Sequence, residues 1–196
     1  MLKAYIKIIN IIENFNTVIL RFSRTLAWIA IGLMVIVMLV QVFFRYVLNN
    51  ALPWPDEASR FLMLWMTGLM APSAYRWGEF IAIDLLRDQL MPRLLAIFDL
   101  CLHFVALIVL IVALSFALKH IDAGWIWYST SLKLPLNLIG QKATPINLAW
   151  MYMSIPIGFF MVVLVIIEMI LKGFHKLFDP KVIYKVPDNP FQTKEQ

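Results

Sequence analysis

The chain has 196 residues, of which 62% are hydrophobic and only 15% charged. A soluble domain of this size needs far more charge on its surface, so the composition excludes one and points to an all-α integral membrane protein. The net charge of +5 is no nucleic-acid signature, because the basic residues sort by segment, and one cysteine, Cys101, excludes an intrachain disulfide or thiol pair.

In chain order, Lys3, Lys7, Asn10, Asn14, Thr17, Arg21 and Arg24 recur at alternating steps of four and three. That spacing puts them on one stripe of a helix, with Ile, Leu and Phe elsewhere. No apolar core precedes a small-residue cleavage site, so the reading is an uncleaved amphipathic helix in the cytoplasmic interface. The competing reading is a charged lead-in to the first span.

A first spanning helix is expected over about 25–44, bounded by Arg24 and Arg45, with Gln41 its one strongly polar residue. Pro53 and Pro55 then stop one helix and start the next. Asp56 and Glu57 fall in the first turn, where the helix dipole favours carboxylates, and Arg60 lies on their face. Trp54 marks a lipid–water boundary.

The second span is expected over about 56–75, with Thr67, Ala71 and Ala74 as a small-residue stripe for close helix approach. Alternating charges over 76–93 predict a short amphipathic connection along the inner surface. A third span is expected over 94–118, with its helix continuing past Lys119 into the interface as far as Trp127. The connection 120–147 carries Trp125, Trp127, Tyr128 and several leucines around Lys133, too apolar for a solvated loop, so it lies against the membrane or a partner. A fourth span over 148–171 completes a single membrane domain, residues 1–175, and 176–196 reads as a polar cytoplasmic tail.

Basic residues orient the chain. With the N-terminus inside, inner segments hold Lys3, Lys7, Arg21, Arg24, Arg76, Arg87, Arg93, Lys172, Lys176, Lys181, Lys185 and Lys194, twelve in all. The outer ones hold Arg45, Arg60, Lys119, Lys133 and Lys142. Both termini are therefore expected in the cytoplasm, with Trp54, Trp125, Trp127 and Trp150 on the outer side.

Three ionisable residues fall inside predicted spans: Asp99, His103 and Glu168. Such groups are functional candidates by default. Asp99, His103, Ala106, Ala113 and Ala117 share one stripe of the third helix; Ser154, Gly158 and Glu168 share one of the fourth. An ion path would use these carboxylates, but their shallow depth and local partners favour plain interhelical hydrogen bonding. The histidines sit at unequal depths, which excludes a bis-histidine haem. No zinc spacing, phosphate loop or activated nucleophile occurs, so neither cofactor nor catalysis is expected.

Several segments together resemble the small membrane subunit of tripartite ATP-independent periplasmic (TRAP) transporters. They are Phe44-Arg45-Tyr46, the Leu52-Pro53-Trp54 turn, Glu57 with Arg60, and Arg76-x-Gly78-Glu79-x-x-x-x-Asp84. Leu132-Lys133-Leu134-Pro135 and Ile155-Pro156-Ile157-Gly158 extend the likeness over nearly the whole chain. Phe80 departs from the family, which often has His there. The resemblance implies a large polytopic permease subunit carrying substrate and sodium ions, and a periplasmic binding protein delivering an organic acid such as a dicarboxylate or a sialic acid. This chain would be the scaffold. Arg45, Pro53, Trp54, Asp56, Glu57 and Arg60 would form a structural turn at the partner interface, and Trp125, Trp127 and Lys133 an outer loop toward the binding protein. The rival is a stand-alone proton- or ion-coupled transporter acting as a homo-oligomer.

Overall fold

The computed structural model describes residues 2–78, 91–134, 144–178 and 184. In chain order the elements are α1 (Leu2–Tyr46), α2 (Pro55–Trp77), α3 (Pro92–Gly124), β1 (Tyr128–Leu134), β2 (Thr144–Asn147), α4 (Ala149–Tyr152) and α5 (Ser154–Phe178). The described residues are mostly helical. The expected amphipathic connection falls largely on 79–90 and the tail largely beyond 178, outside the described residues.

Among the described residues, three stretches are long and apolar enough to cross a membrane: Tyr5–Tyr46, Arg93–Gly124 and Ala149–Leu177. Helix α2 is long enough at 23 residues but carries Asp56, Glu57, Arg60 and Arg76. Three of the four expected spans therefore meet the demands of length and apolarity.

No break separates an interfacial helix from a first span. Helix α1 runs unbroken for 45 residues, about 67 Å at 1.5 Å per residue. Its buried positions are Ile9, Asn16, Leu20, Ser23, Ala27, Ala30 and Gln41, with Glu13, Met34 and Val37 half-buried between them. This packed stripe lies one residue, about 100° of rotation, from the polar stripe read in the sequence. Polar Asn16, Ser23 and Gln41 thus face protein, while Phe15, Val18 and Phe22 are exposed.

The fourth expected span is two helices. Met153 separates α4 from α5, and Ser154 Oγ donates to the Met151 carbonyl at 2.9 Å. Pro156 sits in the first turn of α5, where a missing N–H costs little.

The chain divides into two compact units. The first comprises Met1–Phe22, Ala71–Ala113 and Phe159–Gln196. Its core is Val162, Ile166 and Ile170, packed by Ala71, Tyr75, Leu100, Ala106, Leu107 and Leu110. Helix α3 offers this core one half-buried stripe, while Val105, Ile108 and Val109 stay exposed.

The second unit comprises Ser23–Met70 and Leu114–Gly158. Helices α2 and α5 touch backbone to backbone here. A Cβ built on Gly158 would stand 2.6 Å from the Gly68 carbonyl oxygen, and one on Gly68 would stand 2.5 Å from that of Ser154. Ser23 Oγ donates to the Leu69 carbonyl at 2.6 Å, tying α1 to α2. The 120–147 connection contains a hairpin that its apolar composition did not announce. Helix α3 extends to Gly124, and β1 pairs antiparallel with β2 in the register Tyr128↔Asn147, Lys133↔Pro145 and Leu134↔Thr144. The register slips between Tyr128 and Lys133, so β1 bulges there.

Candidate functional site

The first unit buries a four-charge cluster drawn from three helices. From α5 come Glu168 and, one turn on, Lys172, whose Nζ reaches Glu168 Oε1 at 2.7 Å. From α2 comes Arg76, whose Nη2 meets the same oxygen at 2.8 Å. From α1 comes Asn16, whose Nδ2 donates to Glu168 Oε2 at 2.8 Å and to the Leu164 carbonyl at 3.2 Å. Glu13 adds a second carboxylate 3.3 Å from Lys172 Nζ. Arg76 also donates to Thr17 Oγ1 at 2.8 Å and the Glu13 carbonyl at 3.3 Å.

The Arg76 and Glu168 side chains are 1% and 0% exposed. A buried ion costs several kcal/mol unless paired and hydrogen-bonded, and this set meets that demand. Two cations face two carboxylates, so the cluster is formally neutral. Both Glu168 oxygens are engaged, so an incoming cation would have to displace Arg76 or Lys172.

Tyr184 lies against this region: its hydroxyl shares a hydrogen bond of 2.6 Å with His175 Nδ1, and Lys172 Nζ sits 5.5 Å from its ring centroid. Burial, then Tyr5 and Glu13, push the Tyr184 hydroxyl above its usual range, which keeps it protonated. Tyr5 donates to the Leu171 carbonyl at 2.8 Å.

Asp99 and His103 join through backbone rather than carboxylate. His103 Nδ1 lies 2.5 Å from the Asp99 carbonyl oxygen, which requires the hydrogen on Nδ1. The His103 ring meets Tyr75 edge-on at 5.9 Å. Among the described residues, no group of three or more His, Cys, Asp or Glu side chains is placed to hold a metal ion.

In the second unit, Glu57 turns to β1 rather than to Arg60. Its Oε2 accepts from the Ser131 amide at 3.0 Å and from Ser131 Oγ. Ser129 Oγ accepts from the Leu132 amide at 2.8 Å. Those two amides lie where the β1–β2 register shifts, and Glu57 and Ser129 give them side-chain acceptors there. Asp56 and Arg60 remain exposed. Among the described residues neither pairs with the other or with a neighbour. Arg45 reaches over the Tyr46 ring at 5.8 Å, and Pro53 is exposed.

Trp125, Ile126, Trp127 and Tyr128 form an exposed run, with Trp150 beside Trp125 at 6.2 Å. Lys133 is exposed too. Trp65 Nε1 donates to the Trp150 carbonyl at 3.1 Å, fixing that corner to α2. Of the predicted stripes, Ser154, Gly158 and Glu168 are buried, and Ala71, Ala74, Asp99, His103, Ala106, Ala113 and Ala117 are half-buried. Thr67 is exposed and bonds back to the Met63 carbonyl at 2.8 Å; its neighbour Gly68 makes the close contact instead. Sequence spacing did not single out Glu13, Asn16, Gly68, Ser131 or Lys172 as site residues.

The four-charge cluster and the latched hairpin hold helices and strands in place; neither has the geometry of a reaction centre. Comparison with curated proteins returns no match. A family model does match, over residues 34–176: tripartite ATP-independent periplasmic transporters, DctQ component. That stretch takes in α2, α3, the hairpin and nearly all of α5. The chain therefore belongs to the DctQ family, the small membrane components of tripartite ATP-independent periplasmic transporters.

Proposed function

We propose that this chain is the scaffold of a sodium-driven, binding-protein-dependent transporter for an organic acid of the dicarboxylate or sialic-acid type. It crosses the bacterial inner membrane four times, with both termini in the cytoplasm. Its lipid-embedded partner is a large polytopic permease, which carries the substrate and the ions. A periplasmic binding protein delivers the substrate, and the exposed Trp125, Trp127 and Lys133 face that side. Helix α2 is the second of these spans: Phe61–Tyr75 is free of charge, and Arg60 and Arg76 bound it.

The observation that carries this reading is the closure of the Glu168 cluster. An ion-coupling carboxylate must exchange its ligands during a transport cycle, whereas both oxygens of Glu168 are held by Arg76, Lys172 and Asn16. The design suits a part that stays still while another moves.

Reconstitution tests it. In liposomes the chain alone is expected to move no substrate, while the chain with its permease and binding protein gives sodium-dependent uptake. Uptake by the isolated chain would replace the scaffold reading with the stand-alone transporter.

A further inference from the structure

Met34 and Met38 of α1 and Asp56, Ser59, Arg60 and Met63 of α2 enclose an open groove of about 310 Å³ in the second unit. Its walls are almost wholly apolar, and three of its six residues are methionines. Methionine flexes to fit irregular apolar shapes, so this lining suits a chain of methylenes.

At the groove sit two opposite charges one helical turn apart. An Asp–Arg pair spaced i, i+4 can close on itself. Here, among the described residues, Asp56 and Arg60 pair with neither each other nor a neighbour. The groove thus presents an anion and a cation beside an apolar trough.

We propose that this groove holds one zwitterionic phospholipid of the ethanolamine type. Its ammonium lies at Asp56 and its phosphate at Arg60. An acyl chain runs along the methionines. Trp54 precedes the helix that carries both charges, and tryptophan favours the headgroup level, where such a lipid places its charges.

Native mass spectrometry of the full chain, released from vesicles of ethanolamine, choline or glycerol phospholipid, tests this without any measurement of uptake. One ethanolamine lipid per chain is expected to be retained in preference to the other two. Asp56→Asn should cut that preference about fivefold, the equivalent of an exposed ion pair near 1 kcal/mol, and leave glycerol-lipid retention unchanged. Arg60→Gln should lower retention of all three lipids. Met38→Trp, which fills the trough, should abolish retention while the melting temperature stays put. Equal retention of the three lipids, insensitive to these substitutions, would mean ordinary boundary lipid and overturn the proposal. So would loss of the bound lipid whenever the permease is present, since a protein side chain would then be the occupant.

Discussion

Replacing Gly158 with alanine places a methyl group where the structure has no room. The new Cβ would stand 2.6 Å from the Gly68 carbonyl oxygen and 2.9 Å from its Cα, whereas ordinary contact begins near 3.4 Å. Both obstacles are backbone, so no side chain can swing aside. Helices α2 and α5 must part locally by about 0.8 Å, the shortfall from ordinary contact. A gap of ~0.5–1 Å forfeits a quarter to a half of each dispersion contact along the seam. With the strain of overpacking, the cost should be about 2 kcal/mol, roughly a thirtyfold loss in folding equilibrium. In lipid no hydrophobic drive between helices offsets it. Gly68→Ala should cost a similar amount, through Ser154. The double variant should fall short of the sum, because helices already parted accommodate the second methyl more easily. Gly32 provides the contrast: nothing lies within 4 Å of its Cβ position, so Gly32→Ala should stabilise α1 by roughly 0.5–1 kcal/mol. Reversible unfolding in mixed micelles measures all four variants. If Gly158→Ala unfolds within about 0.5 kcal/mol of Gly32→Ala, the seam is looser than the backbone distances say and the reasoning fails.

Arg76→Met should destabilise the chain by about 3–5 kcal/mol, because Glu168 stays buried with one cation fewer; steady-state abundance and thermal unfolding check this. Glu57→Ala should free the bulge of β1, raising hydrogen exchange at Ser131, with the Leu132 amide still held by Ser129 Oγ and the helices unaffected. In a Cys101→Ser background, cysteines at Lys7 and Lys181 should resist an impermeant thiol reagent in intact cells while one at Lys133 reacts. Labelling of both termini from outside would reverse the orientation.

Much of the helical framework was legible because apolar runs and 3/4 spacing report it directly. Of the stripes read in the sequence, Gly158 and Glu168 on α5 are buried, and Asp99 and Ala113 on α3 are half-buried. On α1 the spacing reported the exposed polar face, at Lys7, Asn10, Asn14 and Arg21, and missed the packed stripe beside it. Its polar residues occupy two neighbouring stripes, and solvent was assumed to claim the richer one. Within an apolar helix the polar side chains that matter turn toward protein, as Asn16, Ser23 and Gln41 do. Beyond the local pair of Glu168 and Lys172, the charge cluster left no trace in the sequence, since Glu168 meets Arg76 across 92 residues and Asn16 across 152. The hairpin was hidden by composition. Tyr128 to Leu134 holds Tyr and Thr, which favour strands, yet its neighbouring tryptophans and leucines read as membrane-facing.

The cluster also sets a sequence of events for a chain made from its N-terminus. Glu13, Asn16 and Arg76 are synthesised well before Glu168 and Lys172, which arrive together on α5 as a ready-made i, i+4 pair. Until α5 is in place, Arg76 lacks the carboxylate it is buried with in the finished fold. An incomplete chain therefore carries an uncompensated charge that the complete chain conceals, and a surveillance protease could read the difference as unfinished synthesis. Chains stopped after Asn147 are accordingly expected to turn over faster than the full chain in a pulse-chase experiment. Arg76→Met in the shortened chain should remove part of that difference, the reverse of its effect on the full one.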